Sequence, residues 1–201
     1  MSVPRSRDAV QTGVLDGRAA LLIGGVVQSV LLEDGDAKPD GYWPWLLPER
    51  APRRVLLLGL GGGTVVRLLQ RRFPEQRIEV VSVEDDPAVL RLAHTWLADV
   101  MERLTILQAE AGAALKQLRA RGERFDLVIV DLFQAGAVPP FVCRRRFLER
   151  VAAVIAAEGL LSINLNRGRG RSVQLRGLAR RFTVERVVGV GMNLVVHARP
   201  R

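Results

Sequence analysis

From residue 54 onward, short continuous apolar runs alternate with stretches in which apolar residues recur every three or four positions. Residues 55–59, 77–84, 104–108, 125–131 and 160–164 have the length and β-branched content of buried strands. Between them, residues 64–72, 87–100, 111–121, 140–157 and 172–181 have helical spacing. Asp86 before Pro87 is a helix start signal, and Gly159 is expected to stop the helix over 140–157. Residues 183–190 and 193–198 add two closing strands. Alternation at this spacing implies an α/β fold: a mostly parallel seven-stranded sheet, helices on both faces, and an antiparallel closing edge.

The first 50 residues have a different pattern. Residues 1–17 show no clear periodicity and are expected to be a loosely paired arm. Two β-rich runs flank Gly24 and Gly25, which reads as a hairpin. A polar turn is expected over residues 34–40, and aromatics then gather at Tyr42, Trp43 and Trp45. This cluster suits either an acceptor pocket or a staple between the two parts. Residues 1–50 are therefore read as an arm with a hairpin, and 51–201 as the main domain.

Composition narrows the functional classes. No apolar run approaches the roughly 20 residues of a membrane span, and residues 1–11 are too polar for a signal peptide, so a cytoplasmic protein with no membrane partner is expected. A single cysteine, Cys143, and two histidines leave little material for a metal centre, and none is expected. Cys143 lies beside Arg144, Arg145 and Arg146, but reads as a packing residue. The net charge of +9 comes almost wholly from arginine. Without an array of stacking aromatics it does not point to nucleic acid.

The candidate chemistry lies at the strand ends. In an open α/β sheet the ligand sits beyond the carboxyl ends of the strands, where strand order reverses. The first strand runs into Gly59, Gly61, Gly62 and Gly63 and then a helix, which brings main-chain N–H groups close to a nucleotide-type ligand. A dinucleotide fingerprint is incomplete, because the register from Gly59 reaches Gly61 but then meets Thr64. Glu84 ends the second strand about 20 residues on, the spacing of an acid that accepts from ribose hydroxyls. The alternative for Glu84 is a solvated strand terminus. Asp85 stands beside it in the nucleoside site, though both Asp85 and Asp86 also suit the cap of the next helix. Glu110 ends the third strand, as an acceptor for an adenine amine or as a turn acid. Asp131 emerges from the apolar fourth strand, where desolvation raises the pKa of a group placed to handle a proton; the alternative is a cap.

In order, G-L-G-G-G-T-V-V-R, V-E-D-D, A-E-A and F-D-L-V-I-V-D resemble the motifs of the spermidine synthase (polyamine aminopropyltransferase) family. That family lies within the class I S-adenosylmethionine-dependent methyltransferase fold, a Rossmann-like architecture. The resemblance reaches forward to I-G-G-V-V-Q-S and Tyr42. It implies a transferase of polyamine biosynthesis, with S-adenosylmethionine or its decarboxylated form as co-substrate and a small-molecule amine as acceptor. It also implies Glu84 on the ribose, Glu110 on the adenine amine, Asp131 as catalytic carboxylate, Gln28 and Tyr42 bordering the pocket, and a homodimer.

The chain departs from the family where acids are expected to face cationic tails. The aspartate of the family's G-G-G-D-G-G falls on Gly62, the second acid of D-x-x-D-P becomes Gln134, and the glutamate of Y-x-E becomes Pro44. Each lost contact to a buried ammonium costs ~1.5–3 kcal/mol. Residues 164–171 (N-L-N-R-G-R-G-R) form either a solvated basic loop or an overhang that favours an anionic acceptor. Two other readings therefore stand beside aminopropyl transfer: a methyltransferase with an unknown, anionic acceptor, and a non-catalytic nucleoside-binding homologue.

Overall fold

The computed structural model describes residues 10–33, 41–134, 137–168 and 170–201. The polar turn expected over 34–40 and the first nine residues of the arm lie outside these. The chain forms β1 (Val10–Leu15), β2 (Arg18–Ile23), β3 (Val26–Val30), β4 (Arg54–Leu58), α1 (Thr64–Arg72), β5 (Glu79–Glu84), α2 (Pro87–Trp96) and β6 (Leu104–Gln108). There follow α3 (Ala111–Ala120), β7 (Phe125–Val130), α4 (Arg145–Ala152), β8 (Ile155–Asn166), α5 (Arg171–Ala179), β9 (Phe182–Val190) and β10 (Asn193–Pro200).

Seven strands form one sheet in the order β6-β5-β4-β7-β8-β10-β9. Strands β4 to β8 pair in parallel, whereas β10 runs antiparallel to both β8 and β9. The chain winds outward from β4 through β5 and β6, then returns to place β7 on its other side. The strand order therefore reverses between β4 and β7.

Because side chains alternate across a strand, the sheet supports two cores. Leu56 and Leu58, with Val128, Val130, Leu161 and Ile163, face Leu115, Leu118, Leu148 and Val151 of α3 and α4. Val55, Leu57, Leu127 and Ile129 face Val65, Val66 and Leu69 of α1, together with Trp43 and Leu46 from a short 3₁₀ turn. The expected α/β architecture, with helices on both faces and an antiparallel edge, is the one observed. No described helix is long and apolar enough to cross a membrane.

The N-terminal region holds more structure than its sequence pattern implies. Beside the expected hairpin, β1 pairs antiparallel with β2, which makes a three-stranded sheet. The expectation of a loosely paired arm over residues 10–17 is therefore overturned. Asp16 (φ 51°) and Gly17 (φ 78°) make the turn. An Asp-Gly pair between two extended runs is a hairpin signal in its own right.

The helix expected over 140–157 also needs correction. It is a 3₁₀ turn (Pro140–Cys143) followed by α4, which ends at Ala152, and β8 already begins at Ile155. The V-A-A-V-I-A-A run has helix-forming alanines, but pairing with β7 overrides local propensity. Gly159 is not a helix stop. It lies in an irregular stretch of β8 where the register slips from Phe125↔Ile155 to Leu127↔Leu160, with no room for a Cβ beside Ile155 and the Phe125 carbonyl. Similarly, α2 ends at Trp96, and a 3₁₀ stretch (Ala98–Arg103) replaces the last turn expected of it.

Candidate functional site

The glycine loop leaves β4 at the point where strand order reverses. Gly59 has φ +94°, and a Cβ there would lie 2.2 Å from the carbonyl oxygen of Asp131. Its N–H donates to Val83 O at 2.9 Å, while the Asp131 N–H donates to Leu58 O at 2.9 Å. One backbone thus passes directly over the end of its neighbour, a packing open only to glycine. The loop's amides are engaged rather than free: Gly61 N–H donates to Glu84 Oε2 (3.3 Å), Gly62 N–H to Ser29 Oγ (2.8 Å) and Gly63 N–H to Leu60 O (3.1 Å). At Gly62 a Cβ would meet the Trp96 ring at 2.5 Å. The position at which the family carries an aspartate is therefore closed by an aromatic side chain.

The acids at the strand ends are held by main-chain donors. Glu84 also accepts from the amides of Asp85 (3.1 Å) and Asp86 (3.2 Å), while burial pushes its pKa up. Asp85 is exposed, and Asp86 caps α2 by accepting from Ala88 N–H at 2.8 Å. Glu110 caps α3 with both oxygens, each 2.9 Å from the Gly112 or Ala113 amide. Its carboxylate thus serves the helix N-terminus, whose dipole favours an anion there.

Asp131 lies one residue beyond β7 and takes both its side-chain hydrogen bonds from side chains. Tyr42 Oη donates to Oδ2 at 3.1 Å, and Asn164 Nδ2 donates to Oδ1 at 3.0 Å. Desolvation raises its pKa to about 6, and the two donors oppose the rise. The Tyr42 hydroxyl is pushed well above its ordinary pKa by its own burial and by the facing carboxylate. Asn164 is 2% exposed, and its Oδ1 has no hydrogen-bond partner among the described residues. Sequence reading marked Asn164 only as a strand end; a polar side chain closing the apolar run L-L-S-I-N was the available signal.

Other candidates fall outside this cluster. Gln28 donates to Val26 O at 3.4 Å within its own strand, and the Gln28 carbonyl lies near Gly61. Gln134 is exposed and forms an antiparallel bridge to Ala137. The aromatic cluster splits its roles: Tyr42 reaches Asp131, Trp43 is buried in the core, and the Trp45 carbonyl accepts from His197 Nε2 at 2.9 Å. Burial pushes the Cys143 thiol up to about 11, consistent with packing rather than reactivity. Arg144, Arg145 and Arg146 are exposed, and so are Arg167 and Gly168 beyond β8.

No protein-family profile matches the chain. A polyamine aminopropyltransferase of Vibrio vulnificus is 28% identical over 120 residues, which cover 59% of this chain and 40% of that protein. An eEF1A lysine and N-terminal methyltransferase of Xenopus laevis is 32% identical over 130 residues, or 61% of this chain and 18% of that one. The crystal structure of human methyltransferase-like protein 13 in complex with SAH superimposes with a TM-score of 0.63 at 26% identity, covering 79% of this chain and 76% of the human one. The chain has the class I methyltransferase fold and is similar in sequence both to polyamine aminopropyltransferases and to eEF1A methyltransferases. The chain spans less than half the length of the Vibrio and Xenopus relatives it matches.

Two outcomes are expected. Gly59→Ala forces a Cβ onto the Asp131 carbonyl and should cost about 2–4 kcal/mol, read as a lower urea midpoint. Asp131→Asn should change the pH dependence of stability. The folded carboxyl keeps its proton up to about 6, whereas the unfolded chain releases it near ~4. The wild type therefore loses stability relative to the variant as pH rises from ~4 to ~6, by on the order of 2 kcal/mol. Urea midpoints for both proteins across that range measure it.

Proposed function

We propose that this chain is a spermidine-synthase-like transferase, which takes a carbon group from an S-adenosyl sulfonium and passes it to an amine nitrogen. The observation that carries this reading is the Asp131 carboxyl at the crossover of strand order, held by Tyr42 and Asn164 with its pKa near 6. A neutral amine attacks the carbon bonded to sulfur, and a C–N bond forms. The C–S pair departs onto sulfur as a neutral thioether, and the surplus amine proton passes to Asp131. Glu84 accepts from the ribose and Glu110 from the adenine amine. Gly59, Gly61, Gly62, Gly63 and Asp85 line the nucleoside, while Gln28, Tyr42 and Gln134 border the acceptor. Residues 1–50 contribute Gln28 and Tyr42, and residues 51–201 contribute the rest. A cytoplasmic homodimer belongs to the same reading, by resemblance alone.

Aminopropyl transfer from the decarboxylated donor is the first form of this reading. Methyl transfer from intact S-adenosylmethionine is the second, and the packing at Gly62 favours it. With the Trp96 ring 2.5 Å from the Cβ position of Gly62, no loop carboxylate pairs with an aminopropyl ammonium there. Pro44 and Gln134 are also uncharged. Both forms end in alkylation of an amine, the acceptor chemistry that the names of the Vibrio and Xenopus relatives share.

Calorimetry with the two donors, and mass spectrometry of the products with putrescine or a lysine peptide as acceptor, separate the forms. A donor preference of about tenfold or more is expected, since one charge-assisted contact is worth that much. Failure to bind either donor or S-adenosylhomocysteine overturns the reading, while binding without any product leaves a non-catalytic homologue. Where transfer occurs, its rate should fall as pH drops through about 6. Asp131→Asn should lower the rate about 10²–10⁴-fold while sparing nucleoside affinity.

A further inference from the structure

We infer that Ser29 and Thr64 are positioning residues for the nucleoside site, through which β3 of the N-terminal sheet sets the conformation of the glycine loop at residues 59–63. The inference rests on the nucleoside reading given above and adds a dependence that no glycine-loop motif contains. A loop with glycines at 59, 61, 62 and 63 has large backbone freedom, so it holds one conformation only where neighbours hold it.

The neighbour is β3. Ser29, 3% exposed, accepts the Gly62 N–H with its hydroxyl at 2.8 Å, and the same oxygen lies 2.5 Å from where a Cβ on Gly61 (φ +53°) would be. Thr64, the first residue of α1 and 1% exposed, completes the clamp. Its Oγ1 donates to Val30 O at 2.7 Å and accepts from Val30 N–H at 2.9 Å. The Val30 side chain is buried in the core, while its main-chain N–H and C=O lie at the edge of the small sheet, where one threonine hydroxyl stands in for a pairing strand.

An irregularity in the β2–β3 pairing aims these groups. The register slips between Leu21↔Ser29 and Leu22↔Val27, which leaves Gln28 as an extra residue. Such a bulge turns the strand and redirects the next side chain. The line of contact then runs from Ser29 to Gly62, and from the adjoining Gly61 N–H to the Glu84 carboxylate. Removing either hydroxyl strands buried main-chain groups and frees the loop that orients Glu84.

The test compares Ser29→Ala, Thr64→Val and Thr64→Ser with the wild type, using the full chain. Two quantities are read: hydrogen exchange of the amides in residues 59–64, and the dissociation constant for S-adenosylhomocysteine. Ser29→Ala and Thr64→Val should speed exchange in the loop and weaken binding, each by about tenfold. Thr64→Ser, which keeps both hydrogen bonds, should match the wild type. In turnover the first two variants should raise the donor KM more than they lower kcat. Loop exchange and affinity within twofold of wild type in folded Ser29→Ala overturn the inference. If the wild type does not bind S-adenosylhomocysteine, the nucleoside reading fails, and loop exchange alone still decides whether β3 orders the loop. Should Thr64→Val fail to fold, Ser29→Ala and Thr64→Ser still decide the matter.

Discussion

The molecule depends on one close approach of two backbones, where the end of β4 crosses the end of β7. Leu58 O accepts the Asp131 amide, and Gly59 then turns with positive φ directly against the Asp131 carbonyl. Were the chain to carry a side chain at 59, the two strands could not keep parallel register up to their tips. The loop would also swing away from the crevice. Because it does not, the glycine amides, the Glu84 carboxylate and the Asp131 carboxylate converge at the carboxyl ends of adjacent strands. The hydrophobic cores on either face hold the strands level, and the glycine lets their ends meet.

The carboxylates at these ends differ in the donors that hold them. Glu84 is surrounded by three amides and Glu110 by two. Fixed main-chain dipoles favour the charged form of a carboxyl. Asp131 has only a phenol and a carboxamide on its side-chain oxygens, and desolvation outweighs them. Burial raises the pKa of both Glu84 and Asp131, and Asp131, with no main-chain donor on its carboxyl, reaches about 6. In a chain of net charge +9, these acids gather negative charge at the carboxyl ends of the strands.

Most of the main domain was legible because its signals are local. Residues 64–72 and 104–108 read correctly as helix and strand to the residue, since each combines a periodic pattern with an abrupt polar or glycine boundary. The acids Glu84, Glu110 and Asp131 could be placed at strand ends by counting, because topology puts those ends side by side. What could not be read was non-local. The start of β8 depends on pairing with β7 rather than on its own alanines, and the Asp131 partners come from 89 and 33 residues away. The Asp16-Gly17 turn was local and readable, but the short, half-exposed β1 beside it has no strong alternation.

The packing at Gly62 changes how the lost acids should be understood. An aspartate replaced by glycine alone would leave a void and a free amide, the mark of a decayed site. Here the Trp96 ring fills the volume and Ser29 takes the amide, so the loop stays packed and its donor stays satisfied. Trp96 in turn is tied down, since its carbonyl accepts from Arg67, which also pairs with Asp99. Under the proposed function, an anchored aromatic at this position, with the Asp131 carboxyl in place, suits a less cationic donor tail. Decay would have loosened the loop, whereas the hydrogen bonds from Ser29 to Gly62 and from Thr64 to Val30 pin it to β3.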